Sequence, residues 1–184
     1  MSVMSATSAP PVLPRRRQLL FGTAFAGVAC SMYIFTVLGW YLEARAGKRA
    51  NWLIENTIPL TQPNMQLLTL AMGVITVQWA AWAIARNERG QTYLAVGVTL
   101  VLSVAFLNQT TFLWVRTGLP MASPEGPYFY ALTGGHFALV LAATLFLIFS
   151  TFRALGGQYG ASLPDGISAA AMFWHIVTAL YVAV

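Results

Sequence analysis

Two histidines, His136 and His175, and one cysteine, Cys30, are the side chains of metal-binding or nucleophilic type that fall inside long apolar runs of this sequence. Each histidine lies about nine residues into its run, counted from opposite ends, so at ~1.5 Å rise per residue both reach a similar depth and could face one another. The sharpest chemistry for such a pair is bis-imidazole ligation of a haem, with Gly134 and Gly135 leaving room for a porphyrin. The plainer chemistry is two neutral imidazoles hydrogen-bonded to neighbouring helices, which is the reading adopted here. A single cysteine allows neither an intramolecular disulfide nor a cysteine-based metal site.

The other polar side chains within apolar runs are Gln78 and the run Asn108, Gln109, Thr110 and Thr111. Asp, Glu, Lys and Arg stand only near the ends of the runs, with Glu43 and Arg45 closing the first. Proton pumps and ion channels place ionisable groups along their pathways, so transport is not expected as the activity of this chain alone. No set of residues here forms a recognisable catalytic constellation.

The elements that must position these groups follow from composition. Of 184 residues, 58% are hydrophobic and 8% charged, and the mean hydropathy is +0.66. A soluble domain needs roughly a quarter of its residues charged. The solvent of this chain is therefore lipid, and the expected fold is all-α: a polytopic membrane bundle of about five transmembrane helices. The ten Lys and Arg, which give a net charge of +5, sit at run ends and in connections, where membrane topology explains them better than nucleic-acid binding.

Residues 1–17 read as a disordered basic tail, rich in Ser, Ala and Pro and ending in Arg15, Arg16 and Arg17. Membrane spans are expected at about 18–42, 65–85, 93–115, 128–152 and 167–184 within a single domain, 18–184. The string Arg16-Arg17-Gln18-Leu19-Leu20 imitates a twin-arginine signal, and Val28-Ala29-Cys30 imitates a lipoprotein cleavage site. The apolar run continues twelve residues past Cys30, beyond an ordinary signal segment, so the first span is kept. The short turn Arg86-Asn87-Glu88-Arg89-Gly90 makes the second and third spans antiparallel neighbours. Gly118, Pro120, Pro124 and Gly126 break the chain before the fourth. With the N-terminus in the cytoplasm, six Lys and Arg lie inside and four outside, which sets the expected orientation. Gly22, Ala26 and Cys30 recur every four residues on the first span, a small-residue stripe that permits close helix contact and is the expected place for a partner. Trp40, Tyr41, Trp52, Trp79 and Trp82 read as interfacial and lipid-facing aromatics.

The C-terminal third carries a resemblance. Phe129-Tyr130-Ala131-Leu132-Thr133-Gly134-Gly135-His136, followed by Phe173-Trp174-His175-Ile176-Val177, resembles segments of subunit III of haem-copper cytochrome oxidases. Tyr41-Leu42-Glu43-Ala44-Arg45-Ala46 resembles the end of that family's first helix in its short, five-helix form, and Glu88-Arg89-Gly90 its following turn. The resemblance runs in order from about residue 20 to 184. Several acids of the family pattern are replaced: Thr178 stands where an Asp is usual, Cys30 falls near a buried Glu, and Phe112 follows Gln109 where Glu-Tyr is usual. Leu139 replaces a second histidine. Roles attached to those groups are therefore not carried over.

The resemblance implies a non-catalytic subunit of a haem-copper terminal oxidase, which packs beside the catalytic subunit, binds lipid between its helices and stabilises the enzyme in turnover. Haem and copper are then expected only in the partner subunit. Within this chain His136, His175, Gln109, Thr133 and Trp174 are expected as structural polar groups between helices, and Gly22, Ala26 and Cys30 as a packing stripe. The expected partners are a catalytic membrane subunit and lipids, without nucleic acid, in a bacterial-type cytoplasmic membrane. The alternatives are an accessory subunit of another membrane metalloenzyme, such as a nitric oxide reductase or a membrane monooxygenase, and an independent bis-histidine b-type cytochrome.

Overall fold

A computed structural model describes residues 16–47 and 60–184. The tail before residue 16, Trp52 and the rest of the first connection lie outside the described residues. Five helices follow in order: α1 (Arg16–Gly47), α2 (Thr61–Ala85), α3 (Arg89–Thr117), α4 (Gly126–Leu155) and α5 (Asp165–Tyr181). No strand occurs among the described residues; Gly160 and Leu163 exchange two backbone hydrogen bonds in the turn before α5. Four helices, α1 to α4, are long and apolar enough to cross a bilayer. The fifth has 17 residues, ~25 Å at 1.5 Å per residue, against a hydrocarbon core of ~30 Å. The molecule is an all-helical, multi-pass membrane bundle.

Each helix starts or stops where the local sequence dictates. At the end of α2, Asn87 takes the left-handed conformation, φ 62°. The amide of Glu88 then reaches back to the Ala83 carbonyl over 2.9 Å and that of Asn87 to Ile84 over 3.1 Å. These bonds satisfy carbonyls that the helix end would otherwise strand. Gly157, φ 75°, does the same after α4, with the Gln158 amide on the Arg153 carbonyl at 2.9 Å.

The shortest helix occupies the middle of the bundle. α5 packs against α1, α2 and α4, whereas α3 touches α2 and α4 from outside. Ala169, Ala170 and Ala171 are buried, as are Phe173, Trp174 and Val177, so small residues let neighbouring backbones approach while large ones fill the remaining space. Two glycines fix these approaches. A Cβ at Gly73 of α2 would meet the Trp174 indole at 2.9 Å, and one at Gly27 of α1 would collide with Ile176 Cδ1. The inward stripe of α1 is therefore Thr23, Gly27, Ile34 and Val37. Gly22 and Ala26 face outward, and Cys30 is half-buried against the core.

Candidate functional site

The helix ends opposite the Arg86–Gly90 turn enclose a cleft of about 380 Å³. It lies where α1 and α3 end, α2 and α4 begin and α5 finishes. Its walls are mainly apolar, and Gln66, Thr110, His136 and Tyr181 supply buried polar groups, with Glu125 of the connection before α4 also on the lining.

These polar groups form an ordered ladder across three helices. Tyr181 of α5 donates its hydroxyl to Gln66 Oε1 at 2.6 Å. Gln66 of α2 donates through Nε2 to Thr110 Oγ1 at 2.9 Å, and Thr110 returns its hydrogen to the Phe106 carbonyl at 3.0 Å. Each member donates to the next, so neither end of the buried carboxamide is stranded. His136 stands beside this ladder, with its ring centroid 5.5 Å from Phe106 and 5.0 Å from Tyr181. Its Nε2–H donates to the Val177 carbonyl over 2.8 Å, which pins α4 to α5. Nδ1 is buried without a hydrogen-bond partner.

The residues singled out in the sequence fall into different situations. Gln109 of α3 donates to Thr69 Oγ1 of α2 at 3.1 Å. Thr133 of α4 accepts the indole N–H of Trp114 of α3 at 2.9 Å. The ring of His175 stays on its own helix, with Nδ1 on the Ala171 carbonyl. Trp174 fills the space beside Gly73, and its buried N–H has no partner. His136 thus bonds to the backbone two residues beyond His175, not to the second imidazole. His136 lines the cleft while His175 does not, so these residues do not fit a haem held between two imidazoles. Among the described residues no three His, Cys, Asp or Glu side chains gather to hold a metal ion.

Gln66 and Tyr181 escaped the sequence reading because both stand near helix ends, where polar residues usually meet water. The available signal was the register of α2: Gln66 precedes Leu70, Gly73, Val77, Ala80 and Ile84 on one buried stripe. A polar residue on that stripe must find a partner inside. Tyr33 of α1 gave no comparable signal, although its hydroxyl donates to the Ala131 carbonyl of α4 at 3.1 Å and its ring lies against Gly135.

A family model described as cytochrome c oxidase subunit III matches residues 47–184. The match begins at the last residue of α1 and takes in α2 to α5, so it starts later than the resemblance drawn from the motifs. Among curated proteins, the chain is similar to cytochrome c oxidase subunit 3 of Spodoptera frugiperda, 27% identical over 124 residues, covering 67% of this chain and 84% of the relative. It is similar to the protein of the same name from Aedes aegypti, 28% identical over 129 residues, 70% of this chain and 49% of the relative. It also resembles a probable cytochrome c oxidase subunit 3 of Rickettsia bellii, 29% identical over 126 residues, 67% of this chain and 46% of the relative. The chain thus spans about half the length of the latter two.

Proposed function

Because the chain belongs to the cytochrome c oxidase subunit III family, we propose that it is a non-catalytic membrane subunit of a haem-copper terminal oxidase. The observation that carries this reading is the family match over α2 to α5, the part of the bundle that holds the cleft and its polar ladder. The interior chemistry agrees with a structural role. Gln66 Nε2, the Tyr181 hydroxyl and His136 Nε2 donate to neighbouring helices and Thr110 to its own, while His136 Nδ1 is left without a partner. The contribution to respiration is then mechanical: a rigid helical body packed beside the subunit that holds haem and copper. The apolar walls of the cleft suit an acyl chain, so lipid is the proposed occupant.

The proposed location is the cytoplasmic membrane of a bacterial-type cell, with the N-terminus inside. The start of α1, the α2–α3 turn and the α4–α5 connection share one side; Arg86, Arg89 and Arg153 lie on it, and in the sequence an Arg triplet stands at the head of the first span. Positive residues concentrate on cytoplasmic faces.

The test is purification of this chain from native membranes in mild detergent, with quantitative mass spectrometry of what accompanies it. Recovery of a haem-copper catalytic subunit in near-equal amount is the expected result. Deleting the chain should then leave an oxidase that binds its haem and copper but loses activity sooner during sustained turnover. Recovery of a different membrane enzyme without an oxidase core would overturn the reading.

A further inference from the structure

α3 packs against α2 and α4 and turns its remaining face out of the bundle. On that face Leu94, Val101, Asn108 and Val115 recur every seven residues, with Val104 and Thr111 between them, and all six are exposed. A seven-residue repeat is the spacing at which two helices wrap left-handedly around one another. Val101, Val104 and Val115 are 69%, 63% and 79% exposed, so the row stands proud of the surface. Their branched side chains are already restricted in a helix and lose little freedom on being packed.

Lipid alone accounts for the valines, but not for Asn108. It lies eight residues before Arg116, ~12 Å along the helix, too deep for so short a side chain to reach the headgroups. Its carboxamide offers two N–H donors and an acceptor oxygen. Beyond the helix ladder, the hydrogen bond at this residue is from Thr111 Oγ1 to its backbone carbonyl, 2.8 Å, which leaves the amide unengaged. The adjacent Gln109 bonds to Thr69 and Thr36, exposed on α1, bonds to its own helix; the Thr117 hydroxyl of α3 has no partner, but it is buried. The carboxamide of Gln78 on α2 also makes no bond, but that side chain is half-buried. An unpaired carboxamide in hydrocarbon is costly, and one polar residue on a heptad seam fixes register and partner.

We propose that this ridge of α3 docks a transmembrane helix of a different subunit, which sets a carboxamide, hydroxyl or imidazole opposite Asn108. The proposal rests on the reading of the chain as one subunit of a larger complex. Charge argues against a second copy in this place. The Arg116 guanidinium lies over the Phe112 ring, 5.9 Å from its centroid, beside the seam. Two copies related by a two-fold axis along the membrane normal would bring their Arg116 residues together.

The experiment places the photoreactive residue p-benzoylphenylalanine at Val104, in membranes that hold the full complex. A second site at Phe149, exposed on α4, serves as the control. The expected result is capture of a peptide from a different subunit at Val104 and of no protein at Phe149. Asn108→Leu should lower that capture roughly three- to thirtyfold, the range for interhelical hydrogen bonds in membranes, while Asn108→Gln keeps most of it. Both variants fold, because the position is exposed to an apolar solvent. Lipid adducts alone at Val104, capture of a second copy, or capture unchanged by Asn108→Leu would overturn the proposal. If the oxidase core co-purifies but Val104 captures no protein, the ridge fails and the subunit reading stands. If Val104 captures another membrane enzyme and no oxidase core co-purifies, the ridge stands and the oxidase reading fails.

Discussion

Tyr181, the last residue of α5, donates its hydroxyl to Oε1 of Gln66, near the start of α2, across 2.6 Å and 115 positions of sequence. The bond closes the bundle at the cleft end, where α5 is too short to be held by length alone. Tyr181→Phe leaves the Gln66 carbonyl oxygen buried without its donor, a loss of about 1–3 kcal/mol. Thermal unfolding in detergent should show a lower midpoint for Tyr181→Phe, and a double-mutant cycle with Gln66→Leu should return a coupling of about 1 kcal/mol. Strict additivity of the two substitutions would show that the bond is not formed.

The two histidines should behave differently. His136 bonds across to α5 and is 1% exposed, whereas His175 is half-buried and bonds only to its own helix. His136→Leu should therefore cost about 1–3 kcal/mol, and His175→Leu within about 0.5 kcal/mol. Equal losses in the two variants would contradict the asymmetry.

Glycine at position 73 is required by its neighbour. An added Cβ would stand 2.9 Å from the indole of Trp174, which is 2% exposed and held on all sides. Gly73→Ala should destabilise by about 1–3 kcal/mol through overpacking. At Gly39, where a Cβ meets nothing within 4 Å, the same change should be neutral or stabilising by up to about 1 kcal/mol. Comparing the two unfolding midpoints checks the contrast.

On α1, Ala26 and Gly27 are adjacent in sequence but opposite in consequence. Ala26 is exposed, while a Cβ at Gly27 would press on Ile176. Ala26→Leu should leave the isolated chain within about 0.5 kcal/mol of its stability and instead lower recovery of a partner in the pull-down. Gly27→Leu should lower the unfolding midpoint of the isolated chain itself, by about 1–3 kcal/mol or more. A drop in the isolated chain's stability for Ala26→Leu would place that face inside the bundle.

Much of the architecture was legible without coordinates, because hydropathy acts over whole segments. The apolar runs, the Arg86–Gly90 turn and the Gly and Pro residues after Val115 each impose a local outcome, and the helices contain those runs almost throughout. At the C-terminus α5 runs from Asp165 to Tyr181, where a span was expected at about 167–184. On α1 the expected partner stripe and the internal contact lie on different faces. Spacing of small residues marks a close-packing stripe but not which side it faces, so Gly22 and Ala26 point outward while Gly27 carries the internal contact.

The sequence by itself therefore determined that this chain lives in lipid as a helical bundle, and that it carries the motifs of one family. Both follow from composition and near-neighbour order, which survive any arrangement of the helices. Only the tertiary structure decided which polar groups meet. Gln66 pairs with Tyr181 across 115 positions and His136 with Val177 across 41, while Asn108 is left pointing away from the bundle. The reason is rotational. A change of one residue turns a helix face by about 100°, so partner choice depends on how five helices are rotated against one another, through contacts such as Gly73 on Trp174 that no local pattern encodes.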